Sequence, residues 1–385
     1  MLLGSERLIA SSRLNGLRVG ILANPASSDR DYRHIVDLLA ASSNFKLAAI
    51  FGPQHGFRSD LQDNMIETPH MVDPRRHVPV FSLYSETREP TQEMLNLIDV
   101  LVIDLQDVGA RIYTFIYTMA NCLRAAARAG VPVIVCDRPN PIGGVQVEGP
   151  MLEPGFESFV GQFPIPMRHG MTVAELARLF NEHHAIGAPL EVVPMEGWSR
   201  ELYFDDTEIP WIMPSPNMPT LDTAIVYPGT VLFEGTMMSE GRGTTRPFEL
   251  IGAPWLDGAA LAARLNQAGL AGVYFREIVF EPTFQKHARV PCGGCQIHVN
   301  SRWDFEPVKA GVAVMREVFT LSGDKFQWRE PPYEYEHDKM PIDILAGSAL
   351  VREQIEQQAP LDDIAASWRS GVKDFEQLRK PYLLY

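Results

Sequence analysis

The segment Val100-Leu-Val-Ile-Asp-Leu-Gln-Asp-Val-Gly-Ala-Arg-Ile-Tyr-Thr-Phe-Ile-Tyr-Thr-Met-Ala-Asn-Cys-Leu-Arg-Ala-Ala-Ala-Arg-Ala-Gly-Val-Pro-Val-Ile-Val-Cys136 decides the fold. It contains two apolar runs, at 100–104 and 131–136, which flank residues 112–129, where apolar positions recur at helical spacing. Short apolar runs without polar alternation are typical of strands that are buried on both faces, as in parallel sheets. The segment therefore predicts the strand, helix and parallel strand of an α/β fold.

The same alternation of strands and helices precedes this segment. The predicted strands are 17–23, 45–51 and 78–84, and the predicted helices are 32–41 and one that opens at Pro90-Thr91. We therefore expect residues 1–155 to form a Rossmann-like subdomain with a mostly parallel sheet.

The chain changes character after residue 150. Thr172 and Glu175 have the spacing of a capping box, which opens a helix that is predicted to reach about His183. The later predicted elements are helices 257–268 and 307–320, strands 273–280 and 295–299, and a helical tail. We expect residues 156–385 to form a second, smaller α+β subdomain.

Composition and charge exclude several classes of protein. With 385 residues, of which 45% are hydrophobic, the chain can bury a large core. A net charge of -14 without any Lys/Arg-rich run argues against general nucleic-acid binding. No apolar run is long enough to span a membrane, and Glu6 and Arg7 interrupt the N-terminal segment, so we predict an unexported, cytoplasmic protein. The four cysteines fit a reducing compartment.

Polar side chains cluster where the predicted strands end. Open α/β sheets bind ligands outside the carboxyl ends of their strands. The polar residues at these ends are Asn24, Gln54, His55, Tyr84, Glu86, Asp104, Gln106, Asp107, Arg138 and Asn140. We expect some of them to cap helices or form turns, and the others to form a ligand site.

A second polar concentration is the segment from Glu234 to Glu249, in which three carboxylates and two guanidinium groups stand among glycines. It is interpreted either as a polar ligand loop or as a solvated turn whose charges pair with one another. It follows the proline-rich stretch 205–220, which carries Asn217 and suits either a rigid cleft wall or a linker.

The sequence predicts neither a cofactor nor a metal. Neither Gly-x-Gly-x-x-Gly nor Gly-x-x-x-x-Gly-Lys-[Ser/Thr] is present, so we expect no nucleotide cradle. His287, Cys292, Cys295 and His298 are spaced like zinc ligands. However, Cys295 and His298 lie three positions apart in a predicted strand, which places them on opposite faces.

Seven motifs follow one another along the chain. They are Phe51-Gly-Pro-Gln-His-Gly-Phe57, Asp104-Leu-Gln-Asp-Val-Gly-Ala-Arg-Ile-Tyr-Thr114, Asp137-Arg-Pro-Asn-Pro-Ile-Gly-Gly144, Val147-Glu-Gly-Pro150, Pro164-Ile-Pro-Met-Arg-His-Gly-Met-Thr172, Pro214-Ser-Pro-Asn-Met-Pro-Thr220 and the 234–249 segment. From about residue 17 to the C-terminus, the chain resembles the NamZ-like exo-β-N-acetylmuramidases, a family formerly known as a domain of unknown function. The resemblance implies a glycoside hydrolase that releases N-acetylmuramic acid, or a related amino sugar, from the non-reducing ends of peptidoglycan fragments. It also implies an active-site cleft between two subdomains.

The chain departs from the family at Gln54, because the corresponding motif of the family carries a glutamate that is proposed to be catalytic. An amide cannot donate or accept a catalytic proton as a carboxyl group does. Three interpretations follow. The chain is a non-catalytic protein that binds amino sugars or muropeptides; or Gln54 orients the acetamido group while another acid works; or the substrate differs.

The resemblance, together with the chemistry of glycoside hydrolysis, predicts the catalytic residues. They are Gln54, His55, Asp104, Glu234 and Glu240. We expect Glu240 or Glu234 to supply the carboxylic acid, assisted by His55 and by Asp104 or Asp107.

Other acids and a set of binding residues complete the prediction. Glu67 and Asp63 are alternative acids, unless they belong to a solvated loop. The predicted substrate-binding residues are Asn24, Glu67, Gln106, Asp107, Arg111, Tyr113, Arg138, Asn140, Asn217, Arg242 and Arg246. Arginines suit the lactyl carboxylate of a muramic acid, unless acids of the chain itself occupy them.

Overall fold

The computed structural model describes residues 1–59, 62 and 66–385, and its N-terminal half contains a large sheet. The strands of this half are β1 (Arg18–Ala23), β2 (Lys46–Gly52), β3 (Met71–Val72), β4 (Pro79–Ser82), β5 (Val100–Asp104), β6 (Val133–Cys136), β7 (Glu148–Met151), β8 (Pro166–Arg168) and β9 (Leu190–Val193). Within the described residues the large sheet has seven strands in the order β3-β4-β2-β1-β5-β6-β9, and β3 is its antiparallel member. The predicted mostly parallel sheet is confirmed.

Helices cover both faces of this sheet. They are α1 (Gly4–Ile9), α2 (Ile35–Ala40), α3 (Gln92–Leu95), α4 (Phe115–Ala129) and α5 (Val173–Arg178), which continues as a π-helix over Leu179–His183. Leu22 and Ile103 share an apolar cluster with α4, whereas Ile21 and Val102 belong to a second cluster with α2. Successive side chains of a strand point to opposite faces, so burial on both faces explains the apolar runs of the sequence.

The C-terminal half is built around a smaller antiparallel sheet. Its strands are β10 (Leu250–Ala253), β11 (Val273–Phe280) and β12 (Cys292–Val299), with β12 in the centre. Its helices are α6 (Leu221–Thr230), α7 (Gly258–Gln267), α8 (Pro307–Ser322), α9 (Pro341–Ala346), α10 (Leu350–Glu356), α11 (Leu361–Ser367) and α12 (Arg369–Arg379). Short 3-10 turns lie at Phe204–Thr207, Val231–Gly235, Gly323–Lys325 and Lys380–Tyr382. Among the described residues, no helix combines the length and the apolar composition that a membrane span requires.

The two halves share one apolar core. Its largest cluster runs from Leu101 in the parallel sheet to Val314 in α8. The chain then returns to the first half, where α12 packs against β7 and the hydroxyl of Tyr385 lies 2.8 Å from Asp137 Oδ2. The cleft walls are therefore held on a common base. The domain boundary predicted at residue 155 stays a prediction.

Candidate active site

A pocket lies where the carboxyl ends of β2 and β5 meet the loops of the C-terminal half. The free space between its walls is about 490 Å³ when the open solvent at its mouth is counted. Its polar lining comes from Gln54, His55, Tyr113, Thr114, Ser215, Asn217, Tyr227, Glu234, Arg242, Tyr333 and Glu334. The pocket therefore occupies the edge of the sheet at which α/β folds bind ligands.

The first wall is built on the loop after β2. The buried side chain of Gln54 accepts a hydrogen bond from Thr114 Oγ1 at 2.7 Å, and Gln54 Nε2 donates to Glu334 Oε1 at 3.5 Å. Thr114 is the N-cap residue of α4, but its side chain does not cap that helix. Because its hydroxyl donates to the amide oxygen, it turns the amide NH₂ of Gln54 toward Glu334.

The second wall carries an ionised carboxylate, Glu234, in the 3-10 turn that follows α6. Arg242 Nη2 donates to Glu234 Oε1 at 2.5 Å, and the Tyr333 hydroxyl donates to Oε2 at 2.7 Å. Burial alone would raise the pKa of Glu234, but the charge and hydrogen bond of Arg242 outweigh it and lower the pKa below its ordinary value. Glu234 is therefore negatively charged at neutral pH.

A second carboxylate, Glu240, also pairs with Arg242. Arg242 Nε lies 3.3 Å from Glu240 Oε1, and Glu240 Oε2 lies 2.6 Å from Lys286 Nζ. Lys286 also donates to the carbonyl oxygens of Phe233 and Thr236, at 2.8 and 3.0 Å. Glu240 thus supports Arg242 and does not line the pocket.

A tight turn positions Glu334 in the lining of the pocket. The backbones of Tyr333 and Glu336 exchange two hydrogen bonds of 2.9 Å, and the residues between them, Glu334 and Tyr335, have φ angles of 45° and 69°. Positive φ at both central residues is a property of type I′ turns, which favour Asn and Gly. Larger side chains strain the backbone there, and such strain is concentrated at functional sites.

Glu334 holds its proton to a higher pH than an ordinary glutamate. Burial and the negative charge of Glu234 raise the pKa of Glu334 to about 7, although hydrogen bonds from Tyr84 and Gln54 oppose the shift. The Tyr84 hydroxyl donates to Glu334 Oε2 at 3.2 Å. Neighbouring carboxyl groups whose pKa values move in opposite directions divide the acid and the anionic roles between them.

Aromatic rings form the inner wall. The ring of Tyr113 meets Phe115 and Tyr227 at centroid distances of 4.8 and 5.9 Å, and Tyr227 meets Phe248 at 4.8 Å. All four rings are buried and meet edge to face. They exclude water from one side of the carboxylates, which strengthens charge interactions in the pocket.

The structure gathers only part of the predicted site in this pocket. The predicted residues that line it are Gln54, His55, Tyr113, Asn217, Glu234 and Arg242. Those outside its lining are Asn24, Glu67, Asp104, Gln106, Asp107, Arg111, Arg138, Asn140, Glu240 and Arg246.

Asp104 forms a buried ion pair with Arg138. Asp104 Oδ1 lies 2.6 Å from Arg138 Nε, and Arg138 Nη2 donates to Oδ2 at 3.1 Å. Arg138 Nη2 also donates to the carbonyl oxygen of Ser28 at 3.0 Å. The bidentate pair satisfies both groups within the protein, so it joins the ends of β5 and β6.

Other predicted site residues stabilise loops through hydrogen bonds to the backbone. Asn24, Gln106 and Asn140 donate their amides to backbone carbonyls of neighbouring segments. The guanidinium of Arg111 is buried and donates to three carbonyls, and Asp107 accepts a backbone N–H from two residues further along. These contacts account for five predicted residues that do not reach the pocket: Asn24, Gln106, Asp107, Arg111 and Asn140.

Two predicted residues lie at the surface. Arg246 is half-exposed, and its guanidinium lies 3.2 Å from the carboxylate of the buried Glu249. Glu67 is exposed and lies 3.1 Å from Arg88. Asp63 lies outside the described residues.

Sequence reasoning missed several lining residues. They are Thr114, Ser215, Tyr227, Tyr333 and Glu334. Tyr333 and Glu334 belong to Pro331-Pro-Tyr-Glu-Tyr-Glu336, which follows no strand of either sheet. Its alternating acids and aromatics after two prolines were the available signal, because they place charge on a rigid loop, as in the 234–249 segment.

The zinc-like spacing does not produce a metal site. Cys295 is buried on β12 while His298 is exposed, as expected for opposite faces. Among the described residues, no group of three or more His, Cys, Asp or Glu side chains is placed to hold a metal ion.

Fold and site together define a class of protein. An α/β protein with two buried carboxyl groups of opposite proton affinity in one pocket has the groups that a glycoside hydrolase needs. The chain belongs to the exo-β-N-acetylmuramidase NamZ family, because residues 19–222 match the N-terminal part of that family and residues 225–385 match its C-terminal part. The family resemblance of the motifs is confirmed.

Individual relatives agree with this assignment. The chain is 46% identical over 373 residues to the peptidoglycan beta-N-acetylmuramidase NamZ of Bacillus subtilis. The aligned region covers 97% of this chain and 88% of the relative. Crystal structures of two DUF1343 family proteins from Bacteroides fragilis have TM-scores of 0.90 and 0.77, at 36% and 29% identity. Each similarity covers 100% of this chain and 98% of the other.

Proposed function

We propose that this protein is an exo-acting glycoside hydrolase that releases N-acetylmuramic acid from the non-reducing ends of peptidoglycan fragments. The family and the name of the Bacillus subtilis relative support the substrate class. The observation that carries the chemistry is the carboxyl pair Glu234 and Glu334, whose pKa values are shifted in opposite directions within one buried pocket.

Glu334 is the general acid of this mechanism. Its pKa of about 7 leaves a large protonated fraction at neutral pH, so it can protonate the oxygen of the leaving sugar. Its two oxygens are held by different donors, Gln54 on one side and Tyr84 on the other. These contacts orient the carboxyl group.

Glu234 is the anionic partner. Positive charge develops at the anomeric carbon as the glycosidic bond breaks, and a fixed carboxylate stabilises it. Arg242 and Tyr333 hold Glu234 in its ionised form. The water that completes hydrolysis returns one proton to the carboxyl pair.

Gln54 has a positioning role in this mechanism. Thr114 fixes its amide so that the NH₂ faces Glu334. A neutral amide at this place keeps a second negative charge away from Glu334. Of the three interpretations, this arrangement favours the one in which another residue supplies the acid, although the group that the Gln54 amide contacts here is Glu334 and not an acetamido group.

The inner wall supports exo action. The buried rings of Tyr113, Tyr227 and Phe248 line the pocket together with the carboxyl groups. A pocket with one side closed by rings suits the end of a glycan, whereas an internal sugar needs space on both sides. The cytoplasmic location remains a prediction from the sequence, which cell fractionation can check.

Hydrolysis of a chromogenic β-N-acetylmuramide by the wild type and by Glu334→Gln tests the proposal. We expect turnover by the wild type and a loss of about 10³-fold in kcat/KM for the variant. Glu330→Gln is the matched control, because Glu330 is an exposed acid four residues earlier in the chain.

Two outcomes contradict this assignment. Full activity of Glu334→Gln would remove the acid role of Glu334. Tight binding of N-acetylmuramic acid in calorimetry, without turnover of any muramide, would support the alternative of an amino-sugar or muropeptide binding protein, which Gln54 suggested.

A further inference from the structure

The loop between β11 and β12, residues 281–291, packs against the second wall of the pocket. The hydroxyl and the backbone N–H of Thr283 both donate to the carbonyl oxygen of Gly243, at 2.9 Å. A ring nitrogen of His287 lies 2.7 Å from the carbonyl oxygen of Met237. The loop therefore holds the second wall at two points.

Lys286 reaches from this loop to the backbone around Glu234. Its ammonium donates to the carbonyl oxygens of Phe233 and Thr236, on either side of Glu234, at 2.8 and 3.0 Å. Its third contact is Glu240 Oε2, at 2.6 Å, and its side chain is only 12% exposed. Three acceptors thus match the three donors of the ammonium group.

The backbone beside Lys286 is strained. Gln285 and His287, its neighbours in the chain, have φ angles of 67° and 57°, and Arg289 has a φ of 64°. Non-glycine residues rarely adopt positive φ, and such conformations persist where the surrounding structure enforces them. The loop therefore accepts an unfavourable backbone at the position that brings the ammonium to the second wall.

The ammonium balances the charges of a buried cluster. Glu234 and Glu240 supply two negative charges, and Arg242 and Lys286 supply two positive ones. Arg242 bridges the carboxylates, since one nitrogen lies 2.5 Å from Glu234 and another lies 3.3 Å from Glu240. Lys286 lies nearer to Glu240 than Arg242 does, so it compensates most of that charge. Arg242 is thereby left to Glu234.

Both cations act on the proton affinity of Glu234. Burial raises the pKa of Glu234, and the charges of Arg242 and, to a smaller extent, of Lys286 lower it. The other titratable or charged side chains that act on this cluster or share its pocket are Tyr227, Tyr333, Glu334, Arg329 and His55. The ionised state of Glu234 thus depends on Lys286 as well as on Arg242.

We infer that Lys286 is a positioning residue of the proposed hydrolase: it neutralises Glu240 so that Arg242 stays on Glu234, and it holds the turn that carries Glu234. The inference rests on the proposed function. Lys286 does not line the pocket, so it acts on the reaction only through the groups that it holds.

Removing the ammonium should move the acidic limb of the pH profile. Glu234 must be ionised for catalysis, so kcat/KM falls as the pH drops through the pKa of Glu234. Lys286→Met leaves one uncompensated negative charge in the cluster, which raises that pKa, so the acidic limb should move up by about one pH unit. Lys286→Met combined with Glu240→Gln removes one charge of each sign, and its limb should return to the wild-type position.

Two further variants separate charge from structure. Lys286→Gln keeps N–H donors for the carbonyl oxygens but lacks the charge, so it should move the limb as Lys286→Met does. It also replaces Lys286→Met if that variant does not fold. Lys325→Met is the matched control, because Lys325 is an exposed lysine outside the pocket lining, and its limb should stay in place.

An NMR titration separates this inference from the proposed function. With isotope-labelled glutamate, the carboxyl signal of Glu234 is assigned by its loss in Glu234→Gln, and its pKa can be followed without turnover. A wild-type pKa of Glu234 in both Lys286→Met and Lys286→Gln would overturn the role of Lys286. So would a double variant whose pKa stays as high as that of Lys286→Met. If the wild type hydrolyses no muramide although the signal shifts as expected, the proposed function fails and the control of Glu234 by Lys286 stands.

Discussion

Two arginine–carboxylate pairs, one in each half of the molecule, are buried to nearly the same extent but differ in function. Asp104 and Arg138 bind one another in bidentate fashion at the end of β5, outside the pocket lining. Glu234 and Arg242 line the pocket and face a third ionisable group, Glu334. A buried charge pair is therefore not a functional signal in itself. What distinguishes the second pair is a neighbouring carboxyl group, Glu334, whose pKa is raised by the charge of Glu234.

The most damaging change to the second pair is Glu234→Gln. It removes the anionic carboxylate from the pocket, so we expect kcat/KM for a muramide to fall by about 10³-fold or more. It should also lower the pKa of Glu334, because the charge of Glu234 helps to raise that pKa. Steady-state kinetics over a range of pH measures both effects.

The control for this change is Glu249→Gln, because Glu249 is a buried acid outside the pocket lining. Activity of Glu234→Gln equal to that of this control would show that the two arginine pairs do not differ in function.

The same change in the first pair, Asp104→Asn, should act on stability instead. Arg138 would keep its charge in a buried place without its carboxylate, which costs about 3–5 kcal/mol of the free energy of unfolding. We expect kcat per folded molecule to stay within about threefold of the wild type, since only a small change in ΔG‡ is involved. Chemical denaturation and active-site titration separate the two quantities. A stable but inactive variant would place Asp104 in catalysis, as the sequence had suggested.

The third test adds a charge beside Glu334. In the wild type the acid must be protonated, so kcat/KM should hold below pH 7 and fall as the pH rises through the Glu334 pKa of about 7. Gln54→Glu places a second carboxyl group at the position from which the amide donates to Glu334 Oε1 at 3.5 Å. Two such acids share a proton, so the alkaline limb should move up by about one pH unit.

If the alkaline limb of the kcat/KM profile of Gln54→Glu stays in place or moves to lower pH, the assignment of Glu334 as the acid is contradicted. A gain in rate above a hundredfold would instead give the acid role to position 54, and the natural chain would then be a weakened enzyme.

The smallest expected effect comes from Thr114→Val, which removes the hydroxyl that donates to Gln54. The amide can then turn its oxygen toward Glu334, and the loss of about 1 kcal/mol corresponds to roughly a fivefold lower kcat/KM. Thr114→Ser keeps the donor and should keep the rate. Equal rates for the valine and serine variants would mean that the orientation of the Gln54 amide does not matter.

The parallel sheet could be predicted from the sequence because its signal is local. The apolar runs that became β1, β5 and β6 are uninterrupted, and the helical spacing that became α4 is long. Even so, α4 begins at Phe115 and not at 112, because Thr114 and the residues before it form the pocket wall.

The site could be predicted only in part because its members meet across the fold. Gln54, Glu234 and Arg242 stand in conspicuous polar motifs, which sequence reasoning found. Glu334 lies 280 positions from Gln54, and neither residue reveals the other. A strand-end acid such as Asp104 can face the pocket or pair with another side chain of the protein. The outcome depends on where that partner lies in the fold, and spacing along the chain does not specify this.

The turn at Glu334 and Tyr335 has a consequence for protein engineering. Both residues, like His55 and Phe248 of the pocket, hold non-glycine side chains at positive φ, and Tyr335 lies just outside the pocket lining. Such backbones cost on the order of 1–3 kcal/mol each, but His55, Phe248 and Glu334 are buried, and removing a buried ring such as that of Phe248 costs about 3–5 kcal/mol. Glycine or asparagine is therefore a route to a more heat-resistant chain only at the exposed Tyr335, and such variants should be screened for turnover at the same time.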